Sequence, residues 1–327
     1  MIARLAACVL LALSLGAATY GDALRSARTA SGAKQMAGAI VRDGHVLWTG
    51  AAGSGAKASD VYSLASLSKP YPATMVLQFA ARGRLALGDH LSRWLAGRIP
   101  AAAGRVTVRE LLDHTSGLPD YVDTNAFYDA AADPHHHWTE AELLALVRAP
   151  RHRGTYAYSN TNYLLLGAVL RRVSGLRVDR LLAREVLRPL GLHSTSMLRV
   201  ARLAKRVAGH HRLPNDVWNP IWTDGAVVAS AADVARFLDG LVLGGRLLDA
   251  TWLQRMLAGA DANYGLGIYG VGLLGDRAYG HDGSYGGWET YALAVPARGL
   301  TFAVLAHGGS SGGPDRALRA LARIAEG

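Results

Sequence analysis

Strand-type pattern lies at both ends of this chain and helix-type pattern fills the stretch between them, an arrangement that restricts the possible folds more than any short motif. Near the start, Gln35 to Arg42 and His45 to Gly50 are apolar stretches flanking Asp43-Gly44, a turn pair suited to a two-residue hairpin, so the two should be antiparallel neighbours. From about residue 70 to 250 helical spacing dominates, with start signals at Thr107-x-x-Glu110, Thr139-x-x-Glu142 and Ser230-x-x-Asp233. Each can satisfy free N–H groups at a helix start. Asn162 to Val173 is apolar nearly all round until Arg171, which reads as a buried helix. After Tyr264 strands return: Arg277 to Ser284, Trp288 to Val295, a P-A-R-G turn at 296 to 299, and Leu300 to His307. A last helix follows from Pro314, with Leu318, Leu321, Ala322 and Ala325 on one face. The expected fold class is α/β (α+β). An antiparallel sheet is built from N- and C-terminal segments (about 35–50 and 264–307), flanked by helices, with a helical lobe inserted over about 66–250 and a C-terminal helix at 314–326.

With 327 residues, 50% of them hydrophobic and 18% charged, the chain is long and apolar enough to bury a substantial core, which excludes a disordered or fibrous protein. Met1 to Ala18 has Arg4 in a short n-region, an apolar stretch from Leu5 and small residues at Gly16, Ala17 and Ala18. It reads as a secretory signal peptide cleaved after Ala18, leaving one domain over 19–327 and a periplasmic or extracellular product. Cys8 is the only cysteine and lies in that segment, so the mature chain is expected to use neither a disulfide nor a thiol. Most of the apolar core follows Cys8, which argues against a lipidation site. No later apolar run reaches the roughly 18 residues a bilayer span needs, so no stable membrane span is expected after cleavage. The net charge of +10 is carried mostly by arginines scattered through helices rather than clustered with aromatics, which speaks against nucleic-acid binding.

Three copies of S-x-x-K occur: Ser31 with Lys34, Ser54 with Lys57, and Ser66 with Lys69. The first precedes a strand pattern and the second sits in a G-S-G-A-K turn. Only the third opens a helical stretch, where Met75, Val76, Phe79 and Ala80 recur at helical spacing. A serine and a lysine three apart on a helix share a face, so the amine can reach the hydroxyl. Near a helix start, free N–H groups favour developing negative charge. Tyr158-Ser159-Asn160 is the only Y-x-N and precedes the buried helix. A phenol beside a cationic amine is expected to have a lowered pKa and to shuttle protons, and an asparagine two residues on offers a donor and an acceptor. H-x-G occurs at His281-Asp282-Gly283 and at His307-Gly308-Gly309, and only His281 is followed by further strands as well as a helix.

Taken in order, Ser66-x-x-Lys69, Tyr158-x-Asn160 and His281-x-Gly283 resemble the three motifs of the serine β-lactamase and D-alanyl-D-alanine peptidase superfamily, in its class C β-lactamase-like branch. The surrounding text is similar too: Y-S-L-A-S-L-S-K-P, V-T-V-R-E-L-L-D-H-T-S-G-L-P-D-Y at 106 to 121, and D-G-A-V-V-A-S-A-A-D-V-A-R-F-L at 224 to 238. The resemblance implies a β-lactamase/transpeptidase-like fold and a secreted serine hydrolase working through a Ser66 acyl-enzyme on D-amino-acid peptides. It implies Lys69 as a base with a depressed pKa, Tyr158 as a proton relay, and an oxyanion hole of the Ser66 and Ser284 N–H groups. Asn160, His281, Gly283 and Ser284 would then bind substrate. His281 stands where many relatives have lysine, so a charge titrating near pH 6.5 is expected to help hold a substrate carboxylate. Asp282 departs from the threonine or serine common there and would repel such a carboxylate unless it points away or pairs with a cation such as Arg277. Pro72, two residues beyond Pro70, suggests a late or bent helix start.

The resemblance implies no cofactor. A metal site is not expected either, since His135, His136 and His137 and the pair His210 and His211 lack H-E-x-x-H spacing and cysteine ligands. The partner is expected to be a small-molecule or peptide substrate, peptidoglycan-derived peptides among the candidates, and the oligomeric state is open. G-G-S-S-G at 308 to 312 fits a nucleophile elbow, but no histidine follows it. Two alternatives stay beside the peptidase reading: a small-ester esterase on the same fold, and a catalytically silent envelope-binding or penicillin-binding sensor.

Overall fold

The computed structural model describes residues 20–131, 136, 138–197, 223–260, 262, 264–309 and 311–326. The segment 1–18 with Cys8, and Lys205, His135, His137, His210, His211 and Ser310, lie outside these described residues. Six strands, β1 (Gln35–Arg42), β2 (His45–Ala52), β6 (Tyr269–Leu273), β7 (Asp276–Tyr285), β8 (Trp288–Val295) and β9 (Leu300–His307), form one sheet. Its order is β2-β1-β9-β8-β7-β6, and every neighbouring pair is antiparallel. The N-terminal hairpin is thus paired directly to the C-terminal strands, Met36 opposite Ala306 and Ile40 opposite Phe302. At the hairpin, Asp43 and Gly44 both take positive φ (50° and 81°), as a primed two-residue turn demands.

Central strand β1 is buried everywhere except Arg42, because both faces of the sheet are covered. Ala37, Ala39 and Val41 face a core shared with the helical lobe, and Met36 and Ile40 face a second core. That second core is closed by a helix α1 over 20–31, which the pattern did not foretell, and by the terminal helix, Gly313–Glu326. The latter buries Leu318, Leu321, Ala322 and Ala325 on the expected face. Truncating the fully buried Leu321 to alanine would remove about 3 kcal/mol of packing.

Between the two strand regions, α2 (Pro70–Ala81) and α3 (Asn160–Ser174) run through the lobe. Thr107 and Thr139 make the expected reciprocal caps with Glu110 and Glu142. Ser230 caps only one way, because the Asp233 carboxylate accepts from the Ser194 N–H and the Thr195 hydroxyl instead. The lobe is not wholly helical: β3 (Tyr62–Ser63), β4 (Thr195–Met197) and β5 (Val227–Ala229) form a small sheet in the order β3-β5-β4. Pro72 neither delays nor bends the start of α2, since N–H groups in the first turn have no intrahelical partner to lose. Among the described residues, no helix is long and apolar enough to cross a membrane.

Candidate active site

Ser66 is the one residue between 61 and 80 that is not buried, and it sits in a single 3₁₀ turn, Ala65–Ser68, that leads directly into α2. Ala65 before it has φ +48°, a left-handed conformation costing an alanine of order 1–3 kcal/mol. Three cross-links hold the turn there. The Leu64 N–H donates to Val227 O at 2.9 Å, the Thr290 hydroxyl donates to Leu64 O at 2.8 Å, and the Ser68 hydroxyl accepts from the Val227 N–H at 3.1 Å. The serine is therefore clamped between the small sheet and the large one.

One helical turn on, Lys69 is fully buried, and its Nζ donates to Ser66 Oγ at 2.9 Å, Asn160 Oδ1 at 2.8 Å and the Asp224 carbonyl at 3.0 Å. Those three bonds use all its donors. Burial pushes its pKa down to about 8, against the opposing pull of the Asp224, Asp120 and Asp282 carboxylates. Asp224 shows the reverse: burial raises it to about 6, with Lys69 and the Tyr121 hydroxyl, which donates to Oδ2 at 2.9 Å, working against that rise.

Asn160 is the first residue of α3 rather than its cap, which is Ser159. Its backbone N–H and its Nδ2 both donate to Asp120 Oδ2 at 2.9 Å, and its Oδ1 faces Lys69. The asparagine expected to orient a substrate amide thus spends Oδ1 and one Nδ2 hydrogen inside the protein, aiming the lysine at the serine. Tyr158 lies across the cleft, hydrogen-bonded to Ser66, with Lys69 Nζ 4.8 Å from its ring centroid. The expectation of a lowered phenol pKa is reversed. Burial round the hydroxyl raises it, more than the bond to Ser66 lowers it, and because 39% of the side chain still opens to the cleft, solvent softens the rise. Tyr158 is a protonated phenol at neutral pH.

The third motif supplies an edge. Gly286 and Gly287 both have positive φ (56° and 84°), forming a two-residue hairpin in which Tyr285 and Trp288 are the closing hydrogen-bonded pair. Counting back, the N–H and C=O groups of Ser284 and Asp282 point away from β8. Strand β6 reaches only as far as Gly280, so that edge is open beyond it. It passes hard against the serine turn, since a Cβ on Gly283 would fall 2.2 Å from Leu64 O and 2.9 Å from Leu67 N. Glycine is what allows the strand edge that carries Ser284 to pass this close to the turn that carries Ser66.

His281 does not take the role expected of it. It is 1% exposed, its Nδ1 donates to the Asp282 carbonyl at 2.5 Å and its Nε2 accepts from the Tyr264 hydroxyl at 2.7 Å. Burial drives its pKa down to about 4, so at neutral pH it is an uncharged strut and not a carboxylate receptor. Asp282 is exposed at the open edge beside His281 and Tyr269, whereas Arg277, suggested as its counter-ion, alternates onto the opposite face of β7.

Sequence reasoning passed over His114, Asp120, Asp224 and Tyr264. His114 is buried with φ +58°. Its Nδ1 accepts from the Ser159 N–H at 3.2 Å and from Asn162 Nδ2 at 3.0 Å, and its ring stacks 4.3 Å from Tyr158. Burial holds it well below the ordinary histidine range, making it a neutral backing plate for the phenol. His114, Asp120 and Asp224 all lie in text singled out for its resemblance, but only folding shows which atoms they hold. Beyond Tyr158 opens a cavity of about 550 Å³ lined by Gly117, Asp120, Asp123, Arg151, His152 and Thr155 among others. Among the described residues, no group of three or more histidine, cysteine or acidic side chains could hold a metal ion.

The chain and its fold have counterparts in known proteins. A family model described as Beta-lactamase matches residues 22–326. The chain is 30% identical, over 88% of its length and 84% of the relative's, to penicillin-binding protein 4 of Amycolatopsis lactamdurans. It is 25% identical to a D-aminopeptidase of Brucella anthropi over 69% of its own length, and spans 45% of that relative. Its structure is similar to a D-stereospecific amidohydrolase from Streptomyces sp., with a TM-score of 0.79, 26% identity, and coverage of 93% of this chain and 98% of that one.

Proposed function

Because this chain belongs to the Beta-lactamase family and is a serine hydrolase, we propose that Ser66 is its acyl-accepting nucleophile and that it cleaves amide or peptide bonds of D-amino-acid substrates. The observation that carries the proposal is the 2.9 Å contact between Ser66 Oγ and a fully buried Lys69 amine whose pKa lies near 8. At pH 7 roughly a tenth of such an amine is neutral and able to act as a base. In that form it takes the Oγ proton as Oγ bonds to the acyl carbon, and the carbonyl electron pair moves onto oxygen. The N–H groups of Ser66 and Ser284 receive that charge.

When the tetrahedral species collapses, the C–N bond breaks and its electron pair leaves on nitrogen. Tyr158, held as a protonated phenol, gives that nitrogen its proton and is restored by the Lys69 ammonium. Deacylation runs the steps in reverse with water in place of the amine. The names of the similar D-aminopeptidase and D-stereospecific amidohydrolase support D-configured substrates. The apolar segment 1–18 supports export, and a secreted product whose N-terminus follows Ala18 is the expected result of N-terminal sequencing. The nucleophile is tested by intact-mass labelling with a fluorophosphonate: wild type gains one adduct and Ser66→Ala gains none. An adduct persisting on another serine overturns the assignment.

A further inference from the structure

The two walls of the cleft differ in what charge they offer a substrate. A hydrolase that holds a carboxylate next to the scissile bond needs a cation facing it, and among the described residues the groups around Ser66 do not supply one beyond Lys69. Lys69 is the cation at the serine, and its three donors are already engaged with Ser66, Asn160 and Asp224. His281, at the position where a cation was expected, is neutral with both ring nitrogens occupied. On the next residue stands Asp282, whose side chain turns to the other face of the strand from His281 and lines a cavity of about 340 Å³ at the open edge with Tyr269, Ser284, Glu289 and Asp315. Its side chain is 64% exposed, with Oδ1 3.5 Å from His281 Nδ1 and a hydrogen bond from the Tyr269 hydroxyl steadying it. Its field reaches the reacting groups, raising the pKa of Lys69 and of Tyr158 and Tyr156 across the cleft. Arg151 and His152 line the cavity on the other side of Tyr158, where Asp120 and Asp123 stand with them.

We propose that Asp282 is a specificity-determining residue that turns away substrates carrying a carboxylate near the scissile bond and favours those carrying a free ammonium. The substrate class is then aminoacyl amides and short peptides with a free amino group, rather than penicillins or peptides ending in a D-alanine carboxylate. A like charge placed opposite another at a partly exposed site opposes binding and an opposite charge assists it, and salt weakens both effects. The inference rests on the Ser66 reading and sharpens it.

The test compares kcat/KM for a D-alanyl p-nitroanilide with a free amine and for an N-acylated D-alanyl-D-alanine peptide, each normalised in the same variant to neutral p-nitrophenyl acetate. Wild type should prefer the ammonium substrate. Asp282→Asn should raise the carboxylate-to-ammonium ratio roughly fivefold and Asp282→Lys further, with the gap narrowing between low and high salt. A ratio that moves less than twofold in both variants, or that ignores salt, overturns the proposal. Failure of the underlying reading is separately visible, since Ser66→Ala would then still turn over the neutral ester.

Discussion

Lys69 and His281 are buried bases at one cleft, and their opposite fates separate its helical wall from its strand wall. Both lose hydration, and both pKa values fall for that reason first. Lys69 is held near 8 because Asp224 and Asp120 flank it and three acceptors receive its protons. His281 drops to about 4: Asp282 alone pulls it upward, and Lys69 pushes it down. Burial by itself therefore does not make a catalytic base. What matters is how much of the lost hydration is replaced, and the helical wall replaces enough to leave an amine that can both hold and release a proton near neutral pH.

The largest test of that division is removal of Lys69. Lys69→Ala should lower the acylation rate of a neutral ester about 10³-fold in stopped-flow measurements, while His281→Gln, on the other wall, should cost less than about tenfold, its loss being one buried hydrogen bond to Tyr264. A comparable loss from both would erase the distinction. Next in size, Gly283→Val should lower kcat about 10²-fold, because its side chain must push the strand edge off the serine turn. Label formation at Ser66 should slow in parallel.

A smaller effect is expected of Asp120→Asn. Asp120 raises the pKa of Lys69 and anchors Asn160, so its neutralisation should move the pH profile of kcat/KM toward lower pH while reducing the plateau about tenfold. The wild-type profile should itself rise with pH to a plateau with an apparent pKa near 8, since neutral Lys69 is the reactive form. It should show no inflection near 6.5 from His281, which stays neutral down to about pH 4. The stability linkage has the same sign. Lys69 has a depressed folded-state pKa, so the folded state binds fewer protons than the unfolded one between about 8 and the ordinary lysine value, and its burial penalty is relieved as pH rises through that window. Urea midpoints of wild type and Lys69→Met across that range measure this.

Much of this was legible in the residues, for a definite reason. The hairpin at Asp43-Gly44, the capping boxes at Thr107 and Thr139 and the apolar face of the last helix are local patterns with local causes, and the structure contains them. Motif order brought Ser66, Lys69, Tyr158 and Asn160 into consideration, and Lys69 contacts the other three while Tyr158 also bonds to Ser66. Strands β3, β4 and β5 were not legible because two or three residues are too few to show a period. The directions of the Tyr158 and His281 shifts escaped as well, since they depend on how completely remote segments exclude water. Likewise Asn160 has the same chemistry whether it faces a substrate or Asp120, and only the fold decides.

The pairing of β1 with β9 has a consequence for how the protein is made. The strand that carries Ser284 is held in a sheet whose middle joins residues 35–42 to residues 300–307, so in a chain emerging from the ribosome one edge of β1 stays unpaired until the last strand arrives. The serine and its lysine are synthesised early, yet the cleft that makes them reactive can close only at the end of elongation.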